Sequence, residues 1–225
     1  MKYAGKSRIM RTLFGSPVQG EPGMLCEHLK NSQIRGIIRC SKSERGITMT
    51  ELVKIMQQRH SCREFLDKAV ENEKIVACIN AASLAPSACN TQPYHFYVAN
   101  TPETVAAAAE YCKADHVNKW VHDAKAFVII TQEHADMPTT LGEAVRKDFR
   151  HFDIGLALEN FLLEATELGL GTCILGSFNE EKLKSAFRIP SPKKIALVIA
   201  MGYSAEKEVA PKKRRPLEES ITYLK

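Results

Sequence analysis

The sequence lacks any run of about 18–20 apolar residues that could cross a bilayer; its longest candidate, Ile195–Tyr203, has only the length of a buried strand. No membrane partner is expected. Paired cysteines are missing too: Cys26, Cys40, Cys62, Cys78, Cys89, Cys112 and Cys173 are odd in number and scattered, with no C-x-x-C to clip zinc or an iron–sulfur cluster. Reduced thiols acting mostly as small buried hydrophobes fit that pattern, and with it a cytoplasmic location. A basic excess is absent over most of the length: residues 1–48 hold nine Lys and Arg against three acids, and the remainder 22 against 23. Long-range attraction therefore gives no reason to expect a nucleic-acid partner. No internal repeat is visible either.

What is present is a chain of 225 residues, 44% hydrophobic and 25% charged, enough to bury a sizeable core in one domain. Residues 1–48 show no sustained period, and Gly, Pro and Ser are spread through their first half. They are expected to form a basic, poorly ordered extension before a domain at 49–225. A secretory signal would need an uninterrupted apolar stretch, which this segment lacks. Its first fifteen residues are basic without acids, which leaves an organelle presequence open, and Met49 is an alternative start.

Beyond Thr48 the periods sharpen. Thr48 and Glu51 are spaced as a capping box before a short helix with Leu52, Val53, Ile55 and Met56 on its apolar side. Helices are predicted at 72–84, stopped by Pro86, at Pro102 onward, around 116–122, and at 180–187. Strands are predicted at 94–99, 125–132, 172–176 and 194–202. The longest helical signal spans 141–168, about 40 Å at 1.5 Å per residue. It is apolar on more than one side, with Phe149, Phe152, Leu156 and Phe161 along one and Ile154, Leu158, Leu162 and Ala165 along another. Packing against a second copy of the chain would cover both, and Gly155 would permit close approach. Interleaved helices and strands favour an α+β or α/β layered fold.

Three stretches carry chemistry. In RHSCREF, extended backbone would place Arg59, Ser61 and Arg63 on one face, with His60, Cys62 and Glu64 opposite. Two guanidiniums and a hydroxyl suit phosphate oxygens, although a solvated basic loop would read the same. In APKKRRPLEE, Lys212 and Arg214 share a face between Pro211 and Pro216, as a second cationic array or a solvated tail. In GLGTCILGSF, the glycines precede a strand, so the stretch fails as a dinucleotide fingerprint. Gly169 reads as a helix C-cap, and Gly176 as the candidate for close contact with a flat ligand. APSACNTQPYHF, 85–96, is too densely set with Pro, Asn and Gln for a plain helix-to-strand turn.

The set RHSCREF, APSACNTQPYHF, DIGLALEN, LGLGTCILGSF, IAMGY and PKKRRPLEE, in this order, resembles the nitroreductase family of FMN-dependent oxidoreductases over about residues 49–225. The resemblance implies an α+β fold with a central, mainly antiparallel sheet flanked by helices. It implies an intertwined homodimer whose two FMN sites are built from both subunits. By position, Arg59, Ser61 and Arg63, with His60 adjacent, match the family's phosphate-binding segment; Pro86, Ser87 and Asn90 match its Pro-Ser-x-x-Asn loop. Leu175 and Gly176 match its backbone contacts at the flavin edge, Lys212 and Arg214 its late basic pair, and 141–168 its dimer-core helix. Tyr94 stands where many members have Trp, Glu159 where many have Gln, and residues 1–48 have no counterpart in compact members.

The implied activity is ping-pong reduction of a small-molecule electron acceptor, a nitroaromatic or quinone, with NADH or NADPH as donor. No catalytic acid or base is assigned: His95, His116, His122, Asp148 and His151 read as helix-surface or core-edge residues. Alternatives are a specialised relative (a halotyrosine dehalogenase, a flavin-fragmenting enzyme or an azoline dehydrogenase) or a non-enzymatic basic-armed module with a vestigial flavin site. The segment 103–125, where a lid is expected, has Glu110, Tyr111 and Lys113 but not the dehalogenase spacing.

Overall fold

A strand whose residues are buried at both parities must lie in a sheet covered on both faces. The computed structural model, which describes residues 50–113, 117–134, 148–206 and 208–224, has such a strand at its centre. The chain divides into two units, Met49–Arg214, and Met1–Thr48 with Arg215–Lys225. In the latter, the described residues form a 3₁₀ turn, Leu217–Glu219, after Pro216. The expectations for residues 1–48 lie outside the described residues.

The larger unit is α+β. Strands β1 (Tyr94–Ala99), β2 (Ala126–Gln132), β3 (Leu170–Leu175) and β4 (Lys194–Tyr203) make one sheet in the order β1-β2-β4-β3. Every neighbouring pair is antiparallel. From β2, Phe127 and Ile129 enter one core with Cys62, Phe65, Cys112, Val121 and Leu183. Ala126, Val128 and Ile130 enter the other, with Ile75, Cys78, Ile154, Leu158 and Phe161. The register slips between Ile130 and Thr131, which pair with Leu197 and Ile195, so Ala196 is an extra residue. That bulge is why Ile195 and Val198 share one core despite their odd separation.

Among the described residues the helices are α1 (Glu51–Gln58), α2 (Asn72–Ser83), α3 (Pro102–Cys112), α4 (Arg150–Glu167) and α5 (Glu180–Ala186). In α4, Ile154, Ala157, Leu158, Phe161, Leu162 and Ala165 are buried at spacings of three and four, against α2 and the sheet. A fully buried Phe or Leu there contributes roughly 1.5–3 kcal/mol. The α4 flank bearing Phe152 and Leu156 remains about half exposed, and an added Cβ at Gly155 would meet nothing within 4 Å. Helix α1 buries none of its residues; Leu52, Val53 and Met56 are all exposed.

Two boundaries differ from expectation. The cap of α1 is Thr50, whose hydroxyl accepts from Val53 N–H at 3.4 Å. Thr48, expected as the cap, lies outside the described residues. The long helix does not run unbroken from 141: residues 141–147 lie outside the described residues, and Asp148 and Phe149 are not helical. Helix α4 starts at Arg150 because the Asp148 carboxylate accepts from Arg150 N–H (3.0 Å) and from the Arg150 guanidinium (2.6 and 2.9 Å). The acid thus satisfies a donor that a helix start leaves unpaired. Among the described residues, no helix is long and apolar enough to cross a membrane.

The Arg150 side chain, then its backbone N–H, holds the Asp148 carboxyl down to about 2 from an ordinary 3.8. Its folded value is the lower one, so this contribution is fully present above pH 3.8 and is lost as pH falls through about 2. Both side chains are part-exposed, so Asp148→Ala is expected to cost only about 0.5–1 kcal/mol at neutral pH, and less in acid, in urea melts at a series of pH values.

Candidate functional site

The segment after α1 runs extended across the end of the sheet. Ser61 bridges Thr172 of β3 in parallel and Phe65 bridges Ser204 after β4. Cys62 N–H donates to the Thr172 carbonyl (3.0 Å), Leu66 N–H to Tyr203 (2.8 Å) and Ala205 N–H to Glu64 (2.9 Å). Backbone alternation then turns the exposed Ser61 and Arg63 outward and sends Cys62 fully into the core. The glycines of the two strands explain how it fits. A Cβ at Gly171 would lie 2.6 Å from Cys62 Sγ, and one at Gly202 would lie 2.8 Å from the Phe65 ring. The sequence marked glycine in this strand as a close-approach signal; at Gly171 the approaching group is Cys62.

Arg59 acts electrostatically on groups in both of the expected cationic stretches, Cys173 beside Arg63 and Lys212 beside Arg214. Burial pushes the Cys173 thiol up, while the Arg63 charge, a Ser61 hydrogen bond and the Arg59 charge pull it down. Burial also pushes the Lys212 ammonium down, and the charges of Arg59 and Arg214 push it further, with Glu159 opposing. Like charges held together cost free energy that an anion between them would recover. Lys212 Nζ donates to the Gln57 carbonyl at the end of α1. The Arg63 guanidinium donates to the Ser61 carbonyl at 3.2 Å and lies 6.0 Å from the Trp120 ring. His60 turns to the opposite side, its Nδ1 2.9 Å from the Gln58 carbonyl.

Pro86, Ser87 and Asn90 form a second group, fixed on α4. Ala88 N–H donates to the buried Asp153 carboxylate (3.2 Å), and Gln92 N–H donates to the Ser87 hydroxyl (2.9 Å). Cys89, Asn90 and Gln92 have φ of 52°, 56° and 45°. Left-handed non-glycine residues are strained by roughly 1–2 kcal/mol each, Asn least, and a run of them is held only where surroundings dictate it. Pro86, Ser87 and Ala88 form one wall of an open groove of about 400 Å³, with Phe149, Phe152, Asp153 and Leu156 as the other. Thr91 Oγ1 and Tyr94 Oη are buried and find no hydrogen-bond partner among the described residues. Burial, then the Asp153 charge, pushes the Tyr94 phenol up. At the end of β3, Leu175 is buried, while Gly176 is exposed with nothing within 4 Å of an added Cβ, which leaves room for a planar ligand.

Gly169, expected as the C-cap, is the left-handed residue just beyond C-cap Leu168, with φ 76° and its N–H on the Thr166 carbonyl at 3.0 Å. Asp153, Trp120 and Glu206 were missed by sequence reasoning. A carboxylate within the apolar stripe of α4 was the available signal for Asp153; Trp120 and Glu206 reach the segment 59–65 only through the fold. Of the segment expected to hold a lid, α3 is packed down, with Ala108, Ala109 and Cys112 buried and Asn179 N–H on the Tyr111 carbonyl at 2.8 Å. Residues 114–116, with His116, lie outside the described residues. Asp148 and His151 have structural partners, Arg150 and Gln132.

This geometry sits on a known scaffold. The Nitroreductase family profile matches residues 56–203. An oxygen-insensitive NADPH nitroreductase of Helicobacter acinonychis is 30% identical over 206 residues, covering 76% of this chain and 95% of the relative. An Archaeoglobus fulgidus protein assigned as an NADH dehydrogenase/NAD(P)H nitroreductase is 29% identical over 164 residues, covering 71% and 89%. Among solved structures, a nitroreductase-type protein of Desulfovibrio desulfuricans in complex with FMN superposes with a TM-score of 0.63 at 26% identity, over 79% of this chain and 99% of that one. The chain belongs to the nitroreductase family.

Because the Gly171 Cβ would meet both Sγ and Cβ of Cys62, at 2.6 and 2.8 Å, neither neighbour can yield by a simple rotation. Gly171→Ala should lower stability by about 1–3 kcal/mol in urea unfolding, whereas an unchanged midpoint would contradict the packing described.

Proposed function

We propose that this chain is an FMN-dependent oxidoreductase that uses NADH or NADPH to reduce nitroaromatic, quinone or related small acceptors. The observation that carries the reading is that the charges of Arg59 and Arg214 both bear on the Lys212 ammonium, on a scaffold of the nitroreductase family. Bound FMN would supply the redox chemistry, taking hydride from the nicotinamide and passing it to the acceptor in a ping-pong cycle.

The chain's own residues bind and orient. Arg59, Lys212 and Arg214, with Ser61 and Arg63, would hold the phosphate through charged hydrogen bonds; His60 contributes main chain to the same segment. Pro86 and Ser87 wall the ring, Asn90 and main-chain groups at Leu175 and Gly176 offer donors near its edge, and Gly176 keeps its face clear. The buried, unpartnered Thr91 and Tyr94 hydroxyls are donors and acceptors awaiting a ligand or a partner group.

In one chain these residues form two groups, one at the sheet end and one against α4. Two chains meeting through the exposed apolar flanks of α1 (Leu52, Val53, Met56) and α4 (Leu156) would bring a sheet end of one to the loop of the other. A homodimer with shared sites is the reading these flanks support.

Two tests follow. Arg59→Ala with Arg214→Ala should reduce FMN affinity at least a hundredfold, since each charged bond contributes about 1.5–3 kcal/mol; full flavin content in the purified double variant would refute the phosphate assignment. Leu156→Glu should convert a dimer to monomer in sedimentation velocity and lower flavin content with it. A wild-type monomer that retains FMN would defeat the shared-site reading. Anaerobic stopped-flow reduction with each nicotinamide, then an acceptor panel, identifies the substrates.

A further inference from the structure

On the core side of the same segment, His60, Cys62 and Glu206 form a cluster that the flavin reading does not use. One ligand atom from each lies within 4.8 Å of the other two. His60 Nδ1 is 2.9 Å from the Gln58 carbonyl, which can only accept, so Nδ1 carries a proton. In neutral imidazole, Nε2 then presents a lone pair. Nε2 is buried and makes no hydrogen bond among the described residues, and Glu206 Oε2 sits 3.1 Å from it. Two ligand atoms held that close are satisfied by a cation they share, a proton or a metal ion. An imidazole whose second nitrogen is fixed by a backbone carbonyl is also the usual arrangement of a metal-ligating histidine.

The other two ligands are oriented as well. Glu206 Oε1 accepts from Arg63 N–H at 3.0 Å, which aims Oε2 at His60. Cys62 Sγ, fully buried, lies 3.2 Å from the Glu64 carbonyl and 3.4 Å from Ser204 Oγ, which also accepts from Glu206 N–H at 3.1 Å and so ties the thiol to the glutamate; water would take a fourth position. Tetrahedral zinc, with bonds of about 2.0–2.3 Å, spaces its ligands at roughly 3.3–3.8 Å. The cluster needs about an ångström of side-chain closure to reach that spacing. The His60 and Glu206 side chains keep 21% and 26% exposure, which provides an entry path.

We propose that His60, Cys62 and Glu206 bind a borderline-soft divalent cation of the zinc class, with one imidazole nitrogen, one thiolate and one carboxylate oxygen as ligands. Binding releases the thiol proton to solvent and involves no change of oxidation state. The ion clamps the Arg59–Arg63 segment to the turn after β4. The proposal is independent of the flavin reading, since the cluster lies on the opposite side of the segment.

The test uses the full chain, freed of metal by a chelator and dialysed, with Co²⁺ as the probe and no flavin added. One Co²⁺ per chain is expected, with a thiolate-to-cobalt charge-transfer band, d–d bands of tetrahedral intensity, and stoichiometric displacement by Zn²⁺. Cys62→Ser should remove the charge-transfer band. Glu206→Gln, a part-exposed position whose change leaves the core intact, should weaken uptake by about tenfold or more. Cys89→Ser, at the exposed thiol, should change neither. The proposal fails if the wild type shows no charge-transfer band, if Cys89→Ser removes it, or if Glu206→Gln binds as the wild type does. Should Cys62→Ser not fold, the Glu206→Gln result decides alone.

Discussion

Contact between two strand glycines and the side chains laid over them is the constraint on which the molecule's working end depends. Gly171 and Gly202 leave room for Cys62 and Phe65, and only because those two are sunk to contact distance does the segment 59–66 lie close enough to hydrogen-bond with Thr172, Tyr203 and Ala205. Once it lies there, pleat alternation fixes where the charged residues point. Cys62 inward means Ser61 and Arg63 outward; the cationic face is a by-product of core packing. Steric fit of neutral atoms thus decides the position of charges.

The second group is placed by a different means. Asp153 is buried in α4 and accepts a main-chain bond from Ala88, a polar tie that fastens a loop with three left-handed residues to the helix. Around it, Tyr94 and Thr91 carry buried hydroxyls without partners among the described residues, where burial raises the price of each unmet bond. Such local frustration is common where a protein keeps groups ready for something it binds.

Much of this was legible in the sequence, for identifiable reasons. Strand β1 was read to its end residues because its alternation is bounded by Pro93 and the Thr101–Pro102 helix start, which are chemical rather than statistical limits. The outward turn of Ser61 and Arg63 about a buried Cys62 followed from the two-residue period alone. The break at Asp148 was not legible, because the apolar pattern of 141–168 continues through a residue whose side chain ends up capping the helix. Nor was the role of Gly171, since a glycine in a strand signals a close approach without naming what approaches. Trp120 and Glu206 are far along the chain from the segment they touch, and pairwise contacts of that range are written only in the fold.

The close packing at Gly171 and Gly202 also separates two properties that a binding site usually mixes. Van der Waals contact does not respond to ionic strength, whereas the mutual repulsion of Arg59, Lys212 and Arg214 is screened within about 8–10 Å in ordinary buffer. The location of this cationic cluster is therefore indifferent to salt even as its pull on an anion is not, and the scaffold can present the same geometry to a ligand across conditions that change how tightly it is held.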